Sequence, residues 1–185
     1  MFAIRRLANH IPRDKLKMMA NSIWMSKARY GIQLTDRVRL TEEDKKTKNI
    51  KATQIAQNKM LRLLDGSRVK DKRNIGDMLE KFGILSINQT MAQIKLTEAW
   101  KANKDNNYPI KLRWTRENAE GTEQRNTRQT NRQTLREGGK TTQAERSFAR
   151  DTGKVWNQAP MEIKESKTLG AAKNLIKTYC KTLPI

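Results

Sequence analysis

The side chains best suited to chemistry in this sequence are cations, and they fall into two groups. Lys45, Lys46, Lys48 and Lys51 follow one another closely, with Arg5, Arg6, Lys27 and Arg29 upstream. Ammonium and guanidinium groups at this density contact phosphate oxygens, although charge runs also serve as solvated faces. In the second group, Arg125, Arg128, Arg132 and Arg136 step by three, four and four residues. On a helix at ~100° per residue they fall within about 80° of one another. Such a stripe tracks a phosphate backbone, with Gln129, Asn131 and Gln133 adding hydrogen bonds; the alternative is a solvated linker whose arginine spacing is accidental. Trp24, Trp100, Trp114 and Trp156 are the candidates for base stacking. Helical spacing assigns Trp100 and Trp156 to a core, whereas Trp114, after Lys111 and Arg113, stays open between the two roles.

Catalysis finds less support. Phosphoryl transfer on nucleic acids uses carboxylates that clamp metal ions about 4 Å apart. The cluster Glu42-Glu43-Asp44 reads as the acidic complement of a helix N-terminus. The lone His10 has no nucleophile or carboxylate placed beside it, and reads as a local packing or backbone contact. Cys180 reads as a small packed or exposed residue. Gly138-Gly139-Lys140-Thr141 lacks the first glycine of a phosphate-binding loop and follows no strand. The expectation is therefore no catalytic residue, no metal, no cofactor and no small-molecule substrate. A nuclease or polymerase would require convergent carboxylates, for which Asp14, Asp36, Asp65, Asp71, Asp77 and Glu80 are the candidates to place in three dimensions.

These residues are carried by helices. Pro12 suits a first turn, and Leu16, Met19, Ile23, Tyr30 and Leu34 continue one face, which predicts a helix over about residues 12–34. Thr41 and Asp44 form a capping-box pattern ahead of a long second helix. Ala52, Ala56, Met60 and Leu63 mark its apolar face, Ile50, Leu61 and Leu64 flank it, and Gly66 ends it. A short helix over about 74–82 stops at Gly83. Ser86 with Gln89 opens another, carrying Ile87, Met91, Ile94, Leu96 and Trp100. From Thr115 to Ser147 the only apolar residues are Ala119, Leu135 and Ala144, too few to offset ordering by burial. Helical character returns near Arg146 with Phe148, Val155 and Trp156. Thr168 caps a last helix with Leu169, Ala172, Ile176, Tyr179 and Leu183. The expected fold is all-α: a helical bundle over 1–104, a polar, Arg-rich connector over 105–145, and a C-terminal helical segment over 146–185.

Composition supports a polyanionic partner. The 185 residues include 39 Lys or Arg against 19 Asp or Glu, a net charge of +20 and a sequence pI of about 10.4. Basic residues outnumber acidic ones 15 to 6 over 1–66, 10 to 5 over 67–114 and 14 to 8 over 115–185, so the charge is not one basic tail. No apolar run approaches the roughly 20 residues of a membrane span. Arg5 and Arg6 interrupt any leader-like stretch, and one cysteine with one histidine excludes a disulfide framework or zinc finger within the chain. An intracellular protein, in nucleus or cytoplasm, is expected.

Several stretches together resemble a known family. Arg5-Arg6-Leu7 through His10-Ile11-Pro12, and Ser26-Lys27-Ala28-Arg29-Tyr30-Gly31, resemble the thumb that follows the palm in non-LTR (LINE-type) retrotransposon reverse transcriptases. Gln57 through Arg62 and Gly83 through Gln89 look like the helices that come next. Ser147-Phe148 through Ile163, with Leu169 through Ile176, is similar to the C-terminal ending, where Ala159 replaces the usual Leu of Trp-Asn-x-Leu-Pro. The resemblance implies a thumb-like bundle that grips RNA or RNA–DNA hybrid through backbone phosphates. It also implies no polymerase activity here, because the catalytic carboxylates belong to a palm domain that would be a partner. The second hypothesis is a protein–protein docking module for that palm, which predicts a large exposed apolar patch.

Overall fold

The computed structural model of the chain describes residues 6, 10–20, 22, 26, 37–44, 48–105, 108–109, 114–115, 134–135 and 148–185. They form an all-α fold: α1 (Arg13–Met19), α2 (Lys48–Asp65), α3 (Ile75–Phe82), α4 (Ile87–Lys104), α5 (Phe148–Gln158), α6 (Met161–Glu165) and α7 (Leu169–Thr182). A 3₁₀ turn, Val69–Asp71, lies between α2 and α3. The only pairing of extended backbone among the described residues is a two-residue antiparallel ladder, Trp114 opposite Leu135 and Thr115 opposite Thr134. The packing divides the chain into one unit of Met1–Met91 with Leu183–Ile185 and another of Ala92–Thr182. The division falls inside α4, which the sequence assigns whole to its first region; the 105–145 connector lies largely outside the described residues.

In the first unit, Leu16 and Ala20 meet Met60, Leu61 and Leu64 of α2, Met78 and Leu79 of α3, and Ile84. Leu63, Ile75 and Phe82 close the edge of this cluster. The ends of the helices follow local chemistry. The Asn74 side chain accepts from the Gly76 N–H at 2.7 Å and caps α3. Gly83, at φ 61°, ends it, with its N–H bonded to the Glu80 carbonyl and the Ile84 N–H to the Leu79 carbonyl. That is the paired closure of a left-handed helix stop, and Ile84 and Leu79 share the same core. At α4 both halves of the expected box form: Gln89 Oε1 accepts from Ser86 N–H at 3.0 Å, and Ser86 Oγ from Gln89 N–H at 3.2 Å.

The buried face of α2 is turned from the one predicted. Ala52 is exposed and Ile55 is 54 % exposed, while Ile50, Gln54, Gln57, Met60, Leu61 and Leu64 are buried. The cause is polar. Gln57 donates to the Leu85 carbonyl at 2.8 Å, and Gln54 accepts from the Ile87 N–H at 3.2 Å and donates to Gln57 and Asn58. These amides satisfy the buried backbone where the chain enters α4, which leaving them unpaired would penalise.

In the second unit, Leu96, Ala99 and Trp100 of α4, Val155 and Trp156 of α5, Ile163 of α6, and Ala172, Ile176 and Cys180 of α7 are buried. Trp100 Nε1 donates to Ser166 Oγ at 2.7 Å, and that hydroxyl donates to the Ile163 carbonyl at 2.7 Å. Lys95 of α4 and Asp151 of α5 form an ion pair whose side chains are 1 % and 3 % exposed. Glu98 binds both Lys101 and the Tyr108 hydroxyl. Helix α6 is not anticipated by the sequence reading, which takes Pro160 only as the end of α5; Pro160 instead precedes α6, whose first turn needs no proline N–H. Thr168 Oγ1 accepts from the Ala171 N–H at 3.2 Å and caps α7.

Candidate nucleic-acid interface

Of the predicted phosphate-binding residues, Arg6 is exposed and Lys51 is exposed on α2. Lys48 is the first residue of α2. Arg5, Lys27, Arg29, Lys45, Lys46, Arg125, Arg128, Arg132 and Arg136 lie outside the described residues. The structure adds a basic surface that the sequence reading passed over, in the segment joining α2 to α3.

That segment is tightly folded. Helix α2 closes across Gly66, whose φ is 73°, with the Ser67 N–H bonded to the Arg62 carbonyl at 3.0 Å. A β-carbon at Gly66 would stand 2.6 Å from Arg13 Nη2, and Arg13 Nη1 donates to the Asp65 carbonyl at 3.1 Å. The Asp71 carboxylate accepts from the Arg68 N–H at 2.5 Å, and the Asp71 N–H reaches back to the Arg68 carbonyl at 3.1 Å. Lys72 then takes a left-handed φ of 45°. The acid of the turn is thus bound to backbone, while the side chains of Arg68, Lys70 and Lys72 stand exposed with no carboxylate partner among the described residues. Val69, 72 % exposed, sits between them.

Arg73 and Lys81 are in a different state. Both reach the buried carboxylate of Asp65, at 3.2 and 2.7 Å. The Lys81 hydrogen bond, helped by Ser67 and Arg73 and opposed by burial, holds that carboxyl below the usual carboxylate range. Asp65, Arg73, Asn74, Asp77, Met78 and Lys81 line an open cleft. Two cations here are committed to a carboxylate, so Arg68, Lys70 and Lys72 are the groups available to phosphate.

Arg39 is the second find. It is 5 % exposed and donates to the carbonyls of Asp44 at 2.7 Å, Glu42 at 3.1 Å and Ile185 at 3.2 Å, and to the Glu42 carboxylate at 3.2 Å. Asn88 clasps its backbone, accepting from the Arg39 N–H at 2.7 Å and donating to its carbonyl at 2.9 Å. Asn88 also donates to the Pro184 carbonyl at 3.0 Å, and Gln89 to that of Leu183 at 3.0 Å. This arginine is a structural tie, not a phosphate ligand. Nothing local in the sequence pairs residues 39, 88 and 184.

The remaining candidates are placed as follows. Trp100 and Trp156 are buried, as their spacing predicts. Trp114 lies in the ladder, and Trp24 lies outside the described residues. His10 is exposed in a turn, not packed. Asp44 accepts from the Leu40 and Thr41 N–H groups at 2.8 and 3.0 Å, but in a turn ahead of α2, which begins at Lys48 with no acidic residue in its first turn, so Glu42, Glu43 and Asp44 do not cap that helix as expected; the Thr41 bond is the main force lowering the Asp44 carboxyl pKa. Cys180 is buried, and burial pushes its thiol up to about 12. Asp65 and Asp77 share the cleft, Asp71 is tied to Arg68, Asp14 and Glu80 are exposed on separate helices, and Asp36 lies outside the described residues. No group of three or more His, Cys, Asp or Glu among the described residues is arranged to hold a metal ion. No helix among them is long and apolar enough to cross a membrane. Large apolar side chains exposed among the described residues are Met18, Ile55, Val69, Met161 and Ile185, each on a different segment. Comparison with family models, curated proteins and solved structures gives no match, so fold and site are argued from this chain's own residues.

Proposed function

We propose that this chain is the thumb and C-terminal region of a LINE-type reverse transcriptase, and that it binds RNA or RNA–DNA hybrid through backbone phosphates. The observation that carries the binding is the turn after α2, where Arg68, Lys70 and Lys72 project from a backbone fixed by Gly66 and Asp71. Rigid presentation lowers the ordering cost of meeting a ligand, and three unpaired cations on one turn have no role in the core. The net charge of +20 extends the attraction over the whole molecule. Base-specific readout is not part of the proposal, since the two tryptophans of the helical cores are buried. A reverse-transcriptase palm is the proposed protein partner.

The test is titration of labelled RNA–DNA hybrid, single-stranded RNA and duplex DNA at several salt concentrations. Log K should fall by about 0.7–0.9 per log unit of salt for each phosphate neutralised. Reversing the charges of Arg68, Lys70 and Lys72 together should lower that slope by about 2–3. A wild-type slope near zero would refute the proposal.

A further inference from the structure

Helix α7 carries a second cationic track. Its buried side is complete: Ala172, Ile176 and Cys180 are 0 % exposed, and Leu169, Leu175 and Tyr179 are half-buried beside them. Its outer side carries Lys173, Lys177 and Lys181, all exposed, with Asn174, Thr178 and Thr182 alongside. The three lysines repeat at every fourth residue, so they form one row. At ~1.5 Å rise per residue the row spans about 12 Å.

Ordinary helix chemistry does not account for this row. Lys181, in the last turn, complements the negative end of the helix dipole. Lys173 lies in the second turn and Lys177 in the middle, where the dipole offers them nothing. Like charges four residues apart destabilise a helix, and α7 contains no acidic residue to relieve them. Lys173 and Lys177 have no carboxylate partner among the described residues.

We infer that the Lys173–Lys177–Lys181 row of α7 is a second nucleic-acid backbone site, distinct from the turn after α2. Because a duplex strand winds, its successive phosphates stand farther apart than their ~3.4 Å axial rise, and a ~12 Å row meets about two to three of them. Beside the row, the Thr178 and Thr182 hydroxyls donate to the Asn174 and Tyr179 carbonyls of their own helix, so the Asn174 amide is the polar side chain left to meet phosphate or sugar. An anionic membrane is the weaker match. An interfacial helix needs apolar side chains at the boundary, and the exposed residues of α7 are Gly170, Ala171, lysines, Asn174 and threonines. The inference rests on the nucleic-acid reading above and assigns to the C-terminal helix a part in it.

The experiment compares the full chain with K173E/K177E and with K173Q/K177Q, which keeps both side chains long and polar. Binding to hybrid, single-stranded RNA and vesicles of anionic phospholipid is followed across salt, and circular dichroism checks that the helices persist. Loss of about tenfold in affinity near 0.2 M salt for either variant, with a slope lower by about 1.4–1.8, supports the site. Wild-type binding with unchanged affinity and slope in both variants overturns the α7 site and leaves the general reading standing. Absence of salt-dependent binding by the wild-type chain overturns both. Vesicle binding that depends on the row, without nucleic-acid dependence, overturns it in favour of a membrane surface.

Discussion

The Lys95–Asp151 pair is the point at which the second unit should be most sensitive to a single charge. Its side chains are 1 % and 3 % exposed, and Lys95 Nζ also lies 5.8 Å from the centroid of the Phe148 ring. Asp151→Ala leaves an ammonium group in the protein interior, and Lys95→Met leaves a carboxylate there. Breaking such a pair costs about 3–5 kcal/mol, because the remaining ion has lost water without keeping its partner. A chain of this size loses about 2–4 °C of melting temperature per kcal/mol, so each single variant should melt about 6–20 °C lower. The double variant Lys95→Met/Asp151→Leu removes both charges and fills the space with apolar groups. It should fall within about 1 kcal/mol of wild type or be more stable. Urea unfolding followed by circular dichroism and tryptophan fluorescence gives all four corners of the cycle. Single variants that each lose under about 1 kcal/mol would show that water reaches the pair. A double variant as unstable as the sum of the singles would show that the side-chain stems, not the charges, matter.

Three further outcomes follow from the geometry. Gly66→Ala should cost about 1–2 kcal/mol in urea unfolding, because φ is 73° and the new methyl displaces Arg13 from its bond to Asp65. The Asp65 carboxyl is held low by Lys81, so its stabilisation is complete above the ordinary carboxylate pKa of ~3.9 and is lost as pH falls through the lower folded value. Acid titration of Asp65→Asn should therefore lack that component of the wild-type stability loss below about pH 4, while being less stable at neutral pH. Cys180, buried and with its thiol pushed up to about 12, should resist alkylation at neutral pH and react at the rate of unfolding of α7. Rapid labelling of the native chain would contradict its placement.

The elements were legible where local chemistry decides them. Gly83, Ser86 with Gln89, and Thr168 each form the bond their position predicts, and the helix limits follow. The face of α2 was not legible, because apolar periodicity assigns no inward place to Gln54 and Gln57. Their burial depends on the Leu85 carbonyl and the Ile87 N–H, 28 and 33 residues away in sequence. The same holds for Arg39 with Asn88, separated by 49, and Lys95 with Asp151, separated by 56. The loop cations were legible in principle: Arg68-Val69-Lys70-Asp71-Lys72-Arg73 follows a helix-ending glycine. What the sequence withholds is the division of labour, with Arg73 taken by Asp65 and the other three left outward.

That division gives the charge of the protein its direction. Acidic side chains are drawn into internal work: Asp44 and Asp71 to backbone N–H groups, Asp65 to two cations, Asp151 to Lys95, Glu98 to Lys101 and Tyr108. A carboxylate held in this way cannot swing out to meet an exposed lysine. Cations outnumber acids in the sequence, and since these contacts occupy Arg73, Lys81, Lys95 and Lys101 as well as the acids, the excess is carried by the remaining cations. Surface ion pairs are worth little, so there is no folding pressure to supply Arg68, Lys70 and Lys72 with partners. Nor does folding explain lysines placed in an i, i+4 row, which raise the energy of α7. On the proposed reading, a strand of phosphates meets Arg68, Lys70 and Lys72, and Lys173 and Lys177, without bending the backbone that presents them.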